Sequence, residues 1–335
     1  MTIHSIGDLS ASLLLRQRGA ALRDELSQLG QELVTGRSAR PDRRLQGDLG
    51  ALAALAHRSA TLAAHADVTA ETQLLLSSTQ ASLDRLGAAA DTAGKALRAA
   101  SVAGLRGPVD IAAENAREAF GDAVAALNTS VAGRGLFSGT EPGATALAPA
   151  AGILAALNAA TAGADTPEAL AQAVRDWFAD PAGLAAMAYG GGPRAQAGPR
   201  LDGGTTLPPA PTALAPEITA TLAALATGAL LAEGRLDGDP AARRTLAAFA
   251  ADMLIDAEAG LVTLQARVGD AEARAEAALV RNRSEADALS VARSGLVGVD
   301  PYETASRIED VRSRIETLYL ITARLSRLSL AEYLR

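Results

Sequence analysis

The sequence predicts a mainly-α protein: an elongated antiparallel helical bundle or coiled coil with an irregular middle domain inserted between its helical halves. Three observations carry this. Hydrophobic residues make up 49% of the chain but aromatics only 3%, so Ala and Leu dominate the apolar share. Ala is the best helix former and buries little area, which favours slender, closely packed helices over a wide core. Leu and Ile recur at heptad spacing near both ends, and Gly, Pro, Ala and Thr fill the middle.

The elements follow in order. The segment 5–34 is helical by period, with Leu15, Leu22, Leu26, Leu29 and Leu33 on an a/d seam that ends at Gly36. A longer helix is expected over 42–103, where Leu55, Leu62, Leu76, Leu83 and Leu97 share one seven-residue series, with Thr69 and Ala90 at the remaining steps. Some sixty residues of helix reach roughly 90 Å, too long for a compact domain. A turn at 104–108 leads to a helix running to Val131, with Phe120, Val124, Leu127 and Val131 on one face. Short helices are expected at 167–178 and 216–233 of the middle, and a small hairpin at 201–207 around Gly203-Gly204. Helix returns over 240–293, breaks at 295–301, and ends in the cleanest seam of the chain: Ile308, Val311, Ile315, Leu318, Thr322 and Leu325. Glu303 with Arg307, and Asp310 with Arg314, stand four apart in the favourable order.

The organisation is therefore mirrored: 1–40 an N-terminal assembly helix, 41–140 and 241–295 the two halves of a long-helix rod, 141–240 the inserted middle domain, and 296–335 a C-terminal assembly helix. Chain ends fray unless tied down. Seams at both extremes point to pairing with each other and then with other copies, that is, to a homo-oligomer.

Net charge is −7 and the isoelectric point about 5.1, so no nucleic-acid partner is expected. The chain contains no Cys, which excludes disulfide frameworks, thiol nucleophiles and Cys-bound zinc. The N-terminus lacks the basic start and long apolar run of a secretory signal. The uncharged stretches 142–164 and 218–232 hold few Leu or Ile, so membrane insertion is not expected.

Chemistry is sparse. His4, His57 and His65 have no third ligand near in sequence. Gly190-Gly191-Gly192-Pro193 lacks the Lys-Ser or Lys-Thr of a phosphate loop and reads as a loop breaker. Trp177-Phe178 reads as core of the middle domain, and Asn128-Thr129-Ser130 and Asn282-Arg283-Ser284 as chance matches to a glycosylation pattern. No catalytic residue, cofactor or metal site is expected, and the protein is read as a non-enzyme.

Several stretches resemble the flagellin superfamily. Leu33-Val34-Thr35-Gly36-Arg37 resembles its N-terminal helix end, the run from Leu127 through Gly133 to Thr140 a helix that ends in an Asn- and Gly-containing turn followed by an aromatic or apolar pair and Gly, and Asp300-Pro301-Tyr302-Glu303 through Ile308 the start of its last helix. The ending from Leu328-Ser329-Leu330 to Tyr333-Leu334 is similar to that of the branch forming the hook–filament junction, the hook-associated proteins of type 3. The segment Ser38-Ala39-Arg40-Pro41-Asp42-Arg43-Arg44 departs from the Asn- or Asp-rich stretch common in the superfamily. The resemblance covers roughly 1–140 and 240–335.

It implies a secreted, extracellular structural subunit of the bacterial flagellum, with an assembly seam of Leu15, Leu22, Leu26, Leu29, Leu33, Ile308, Val311, Ile315, Leu318, Leu325, Leu328 and Tyr333. It further implies the neighbouring hook-associated protein and filament flagellin as partners, type III export, and an export chaperone on the C-terminal helix. Filament flagellin and an unrelated helical interaction protein are the alternative readings.

Overall fold

A computed structural model describes residues 4–103 and 106–333, with side chains at Ser10, 13–103 and 106–325. Among the described residues helix accounts for 74%, against one two-stranded sheet, so the mainly-α class holds. The helices are α1 (His4–Thr35), α2 (Pro41–Arg44), α3 (Gly50–Val102), α4 (Arg106–Leu127), α5 (Ala150–Ala160), α6 (Pro167–Ala179), α7 (Pro216–Ala229), α8 (Pro240–Val297) and α9 (Pro301–Tyr333). Strands β1 (Ser130–Val131) and β2 (Arg134–Gly135) pair antiparallel. The chain divides into two compact units, Met1–Ala63 with Arg283–Arg335, and Ala64–Asn282.

In the unit Ala64–Asn282, α7 is surrounded. Every residue from 221 to 231 is buried. A helix apolar on all sides belongs in an interior, which explains one uncharged stretch of the sequence. Among the described residues no helix is long and apolar enough to cross a membrane. α7 packs closely because Gly228 has no side chain: a Cβ there would lie 2.8 Å from Leu97 Cδ1 of α3 and 2.9 Å from Ala116 Cβ of α4.

The seven-residue series of α3 faces inward. Leu62, Thr69, Leu83, Ala90 and Leu97 are buried, and Leu76 is partly buried. The Thr69 hydroxyl donates to His65 O at 2.7 Å, which satisfies it inside the helix. Phe120, Val124 and Leu127 of α4 join the same core, as do Leu170, Val174 and Phe178 of α6. The aromatic pair Trp177–Phe178 meets edge-on at 5.1 Å. Residues of the middle segment thus share one core with α3, α4 and α8.

Some boundaries differ from the sequence reading. α3 starts at Gly50, eight residues later than expected, because Gln46 (φ 53°) and Gly47 (φ 87°) turn the chain after the short α2. Asp48 then accepts from Gly50 N. α4 stops at Leu127, and Val131 belongs to β1, not to the helix. The cause is Asn128, whose side chain accepts from Leu147 N at 2.8 Å and donates to Leu147 O at 2.9 Å. Ala132 (φ 50°) and Gly133 (φ 77°) make the hairpin turn. α5 was not anticipated, since an Ala-rich run beside Gly and Pro carries no clear period; Ile153, Leu154 and Leu157 bury its inner face. The expected helix 216–233 ends at Ala229. The expected hairpin at 201–207 is a loop with the single bridge Arg200↔Thr206. Among the described residues of α9 the ion pair is Arg312–Glu309 at 3.0 Å, and neither Glu303–Arg307 nor Asp310–Arg314 pairs.

A charge network closes one end of this unit. Arg243, 3% exposed, donates to Asp110 at 2.8 Å, to Asp237 at 2.6 Å and to Arg235 O at 3.0 Å. Arg106 reaches Asp110 and Asp237 from outside. A buried guanidinium must be paired, and here two carboxylates and a carbonyl supply that. Arg243→Met is expected to lower stability by about 1–2 kcal/mol, because Asp110 and Asp237, both partly exposed, keep Arg106 and lose only their buried partner. Urea unfolding followed by circular dichroism measures it; an unchanged midpoint would remove the network from the stabilising contacts.

Candidate assembly interface

The unit Met1–Ala63 with Arg283–Arg335 holds the terminal pair. Leu29, Ile308 and Val311 form a buried cluster with Leu22, Leu26 and Ile315 packed around it. At Gly19 a Cβ would stand 3.2 Å from Leu318 Cδ2, and Arg23 donates to the Tyr319 hydroxyl at 3.0 Å. Residues 29, 22 and 19 of α1 thus meet 308–311, 315 and 318 of α9, so the helices run antiparallel.

The root of the pair is built from backbone. α1 ends at Gly36, whose φ of 65° suits a residue without Cβ. Ser38 N donates to Val297 O at 2.7 Å, and Val299 N donates to Gly36 O at 3.1 Å. Arg37 and Gly298 form the bridge between them, and Arg44 Nε donates to Leu296 O. Glu32 holds the turn by accepting from Ala39 N at 2.8 Å and from the Ser38 hydroxyl at 3.2 Å. α9 opens with Asp300, whose side chain accepts from Tyr302 N at 2.8 Å, followed by Pro301 at the first helical position. The two motifs read from sequence at Leu33–Arg37 and Asp300–Ile308 are therefore a helix stop and a helix start. The stop is tied to residues just before the start.

The twelve predicted seam positions fall into three groups. Leu22, Leu26, Leu29, Ile308, Val311 and Ile315 share one cluster, and Leu318 and Leu15 are half-buried. Leu33 and Leu325 are exposed, at 40% and 45%. The side chains of Leu328 and Tyr333 lie outside the described residues. Beyond the seam, Leu13, Leu14, Val34, Tyr319, Leu320 and Ile321 are also exposed. A two-helix pair covers one stripe of each helix, so the other apolar stripe is left to water or to a partner.

In the same unit Arg58 of α3 and Glu285 of α8 form a two-pronged ion pair at 2.6 and 2.9 Å. The hydrogen bond between them raises the Arg58 pKa and lowers that of Glu285. His57 is exposed and His65 half-buried. Among the described residues no group of His, Asp and Glu could hold a metal ion.

Sequence reasoning missed a second surface, in the unit Ala64–Asn282. An open cleft of about 980 Å³ lies between α3, α8 and the loop 196–211. Val68 and Leu76 of α3 and Leu264 and Val268 of α8 line it, with Leu207 and Pro208 of the loop opposite. The loop is strapped down. Leu201 and Leu207 are buried on Ala271, Ala275 and Ala278 of α8, and Asn282 donates to Leu201 O at 3.1 Å. Asp202 accepts from Arg281 at 2.9 Å and from Gly204 N at 2.8 Å. The signal in the sequence was Asp202-Gly203-Gly204-Thr205, an Asp-led turn, but its anchor, Arg281-Asn282, lies far along the chain.

A family description, the bacterial flagellin C-terminal helical region, matches residues 252–334. That range takes in most of α8 and all of α9. The protein is thus a helical, coiled-coil-ended chain whose C-terminal region is of flagellin type. The match is confined to this region and shows its likeness to the C-terminal helices of flagellin. A comparison with curated proteins gives no significant match.

Two outcomes are expected. Leu318→Asp places a carboxylate at the half-buried apolar contact with Gly19. It should abolish assembly while leaving thermal unfolding of 64–282 unchanged; normal incorporation into assemblies would refute the seam. The Asp202 carboxyl is held well below its ordinary range, first by Arg281 and then by the Gly204 N–H. A carboxyl depressed in the folded state stabilises it above the unfolded value, about 3.9, and loses that contribution as pH falls through the folded value. Asp202→Asn should speed hydrogen exchange in 200–206 at neutral pH and flatten its acid dependence below about pH 4. Equal rates in both proteins at every pH would dissociate Asp202 from the strap.

Proposed function

We propose that this protein is a structural subunit of the bacterial flagellum that forms the hook–filament junction by helical self-assembly through its paired terminal helices. The observation that carries the reading is the flagellin C-terminal match over 252–334, which falls on the helix whose apolar stripe is only half covered within one chain. An antiparallel pair with a second apolar stripe suits repeated contacts between copies. The similarity of the run from Leu328-Ser329-Leu330 to Tyr333-Leu334 to the junction branch supports the junction over the filament. In this reading the protein has no catalytic role. It is exported through the flagellar type III apparatus with a chaperone on its C-terminal helix, and it contacts a hook-associated protein on one side and flagellin on the other. The segments 1–40 and 296–335 act in assembly, 41–140 and 241–295 as the rod, and 141–240 as the outer part.

Filament flagellin is the second reading, favoured by the family description itself, which is that of flagellin. Immunogold electron microscopy of intact flagella with antibody against 133–240 separates the two. Label confined to the boundary of hook and filament is expected. Label along the whole filament would make the chain a flagellin, and unlabelled flagella would sink both.

A further inference from the structure

The tetrapeptide Arg-Leu-Asp-Gly occurs twice in the unit Ala64–Asn282, at 200–203 and at 235–238. Asp-Gly is the dipeptide most open to attack on its own side chain, because Gly puts no Cβ in the way of its amide nitrogen. Among the described residues neither Gly203 N nor Gly238 N makes a hydrogen bond, so the nucleophile is available in both places. The surroundings of the carboxyl decide between them.

At 200–203 the carboxyl is held by both oxygens. Asp202 Oδ1 accepts from Gly204 N at 2.8 Å and Thr205 N at 2.5 Å, and Oδ2 from Arg281 at 2.9 Å and the Thr205 hydroxyl at 3.0 Å. Arg200 clamps the same turn, donating to Asp202 O at 3.1 Å and Gly203 O at 2.6 Å. Only 16% of the Asp202 side chain is exposed. These bonds favour the anion, whereas expulsion of water from a carboxyl needs its protonated form. At 235–238 the hold is looser. Asp237 meets Arg243 at 2.6 Å and Arg106 at 3.5 Å, both through Oδ1, and 56% of its side chain is in water. The nearby amides of Ala241 and Ala242 go to Asp239 instead. Arg235 donates to Thr161 O and Ala164 O and so does not clamp its own turn. Leu236 stands at φ 58°, a strained conformation for a residue with a Cβ.

We propose that Asp237-Gly238 is a self-modification site at which Asp237 converts to isoaspartate, while the identical tetrapeptide at 200–203 is guarded by Arg281 and its own turn. Gly238 N attacks Cγ of Asp237. The amide proton and a carboxyl hydroxyl leave as one water, and a cyclic succinimide forms. Water then adds to either carbonyl. One opening restores Asp237; the other runs the main chain through Cβ and Cγ and leaves the α-carboxylate as the side group. That carboxylate no longer reaches Arg243, whose buried guanidinium keeps Asp110 and Arg235 O.

The full chain, kept folded for weeks in warm neutral buffer, tests this. Trypsin releases 201–235 and 236–243, and isoaspartate methyltransferase labels the isomer in each. Asp202 is the sole Asp of the first peptide, and Asp239 of the second precedes Pro240, which has no N–H to attack with. Label in 236–243 should exceed that in 201–235 by about tenfold or more, the factor that one charge-assisted hydrogen bond represents. In urea the two should be labelled alike. Gly238→Ala, where a Cβ meets nothing within 4 Å, should remove the label from 236–243. Arg281→Met should bring it to 201–235. Equal label in the folded chain, an unlabelled 236–243, or a difference that persists in urea overturns the proposal. An Arg281→Met chain that stays unlabelled at 201–235 overturns the guard.

Discussion

Everything in the unit Ala64–Asn282 depends on how closely helix backbones can approach. With aromatics at 3%, few large rings besides Phe120, Phe137 and Phe178 fill this core, so most burial must come from proximity. Gly228 of α7 lies against Leu97 and Ala116, and Ala112, Ala113, Ala116, Ala119 and Ala123 line α4 on its buried side. Small residues let α7 sink until it is covered all round. The same economy leaves little tolerance at Gly228, where an added methyl group would press on Leu97 and on the Cβ of Ala116.

The terminal pair obeys a different balance. Its cluster is small, three buried residues with three partly buried around it, and several large apolar side chains remain in water. A pair of this kind gains little from its own contacts, and each helix still presents surface of the type it has just buried. A second layer of helices would remove that surface from water. The flagellin-type match over α8 and α9 fits this division, a self-sufficient interior with unfinished ends.

The long elements were legible because their periods persist. The heptad of α3 held from Leu62 to Leu97, and its two non-Leu steps, Thr69 and Ala90, are buried with the rest. Helix ends were legible where capping chemistry is local, as at Gly36 and at Asp300-Pro301. What escaped was decided by distant partners. Asn128 stops α4 because Leu147 offers a matching N–H and C=O, and nothing near Asn128 announces this. The strap and the cleft escaped likewise, since Asp202 is read by Arg281. α5 has too even a composition to show a face before its neighbours are known. Of the seam positions, Leu22, Leu26, Leu29, Ile308, Val311 and Ile315 share one cluster, while Leu33 and Leu325 stand in solvent within one chain.

The backbone knot at Gly36, Val297 and Val299 fixes more than a corner. It joins residues from opposite ends of the chain, and closing so large a loop is entropically costly unless the interior has already brought the ends together. Once made, it sets which residue of α1 faces which residue of α9, so the pair can zip outward in a single frame. A heptad slip, always open to a bare coiled coil, would have to break those backbone bonds first. The frame of the two terminal helices is thereby written in main-chain bonds at their root, where no side-chain substitution on either seam can erase it.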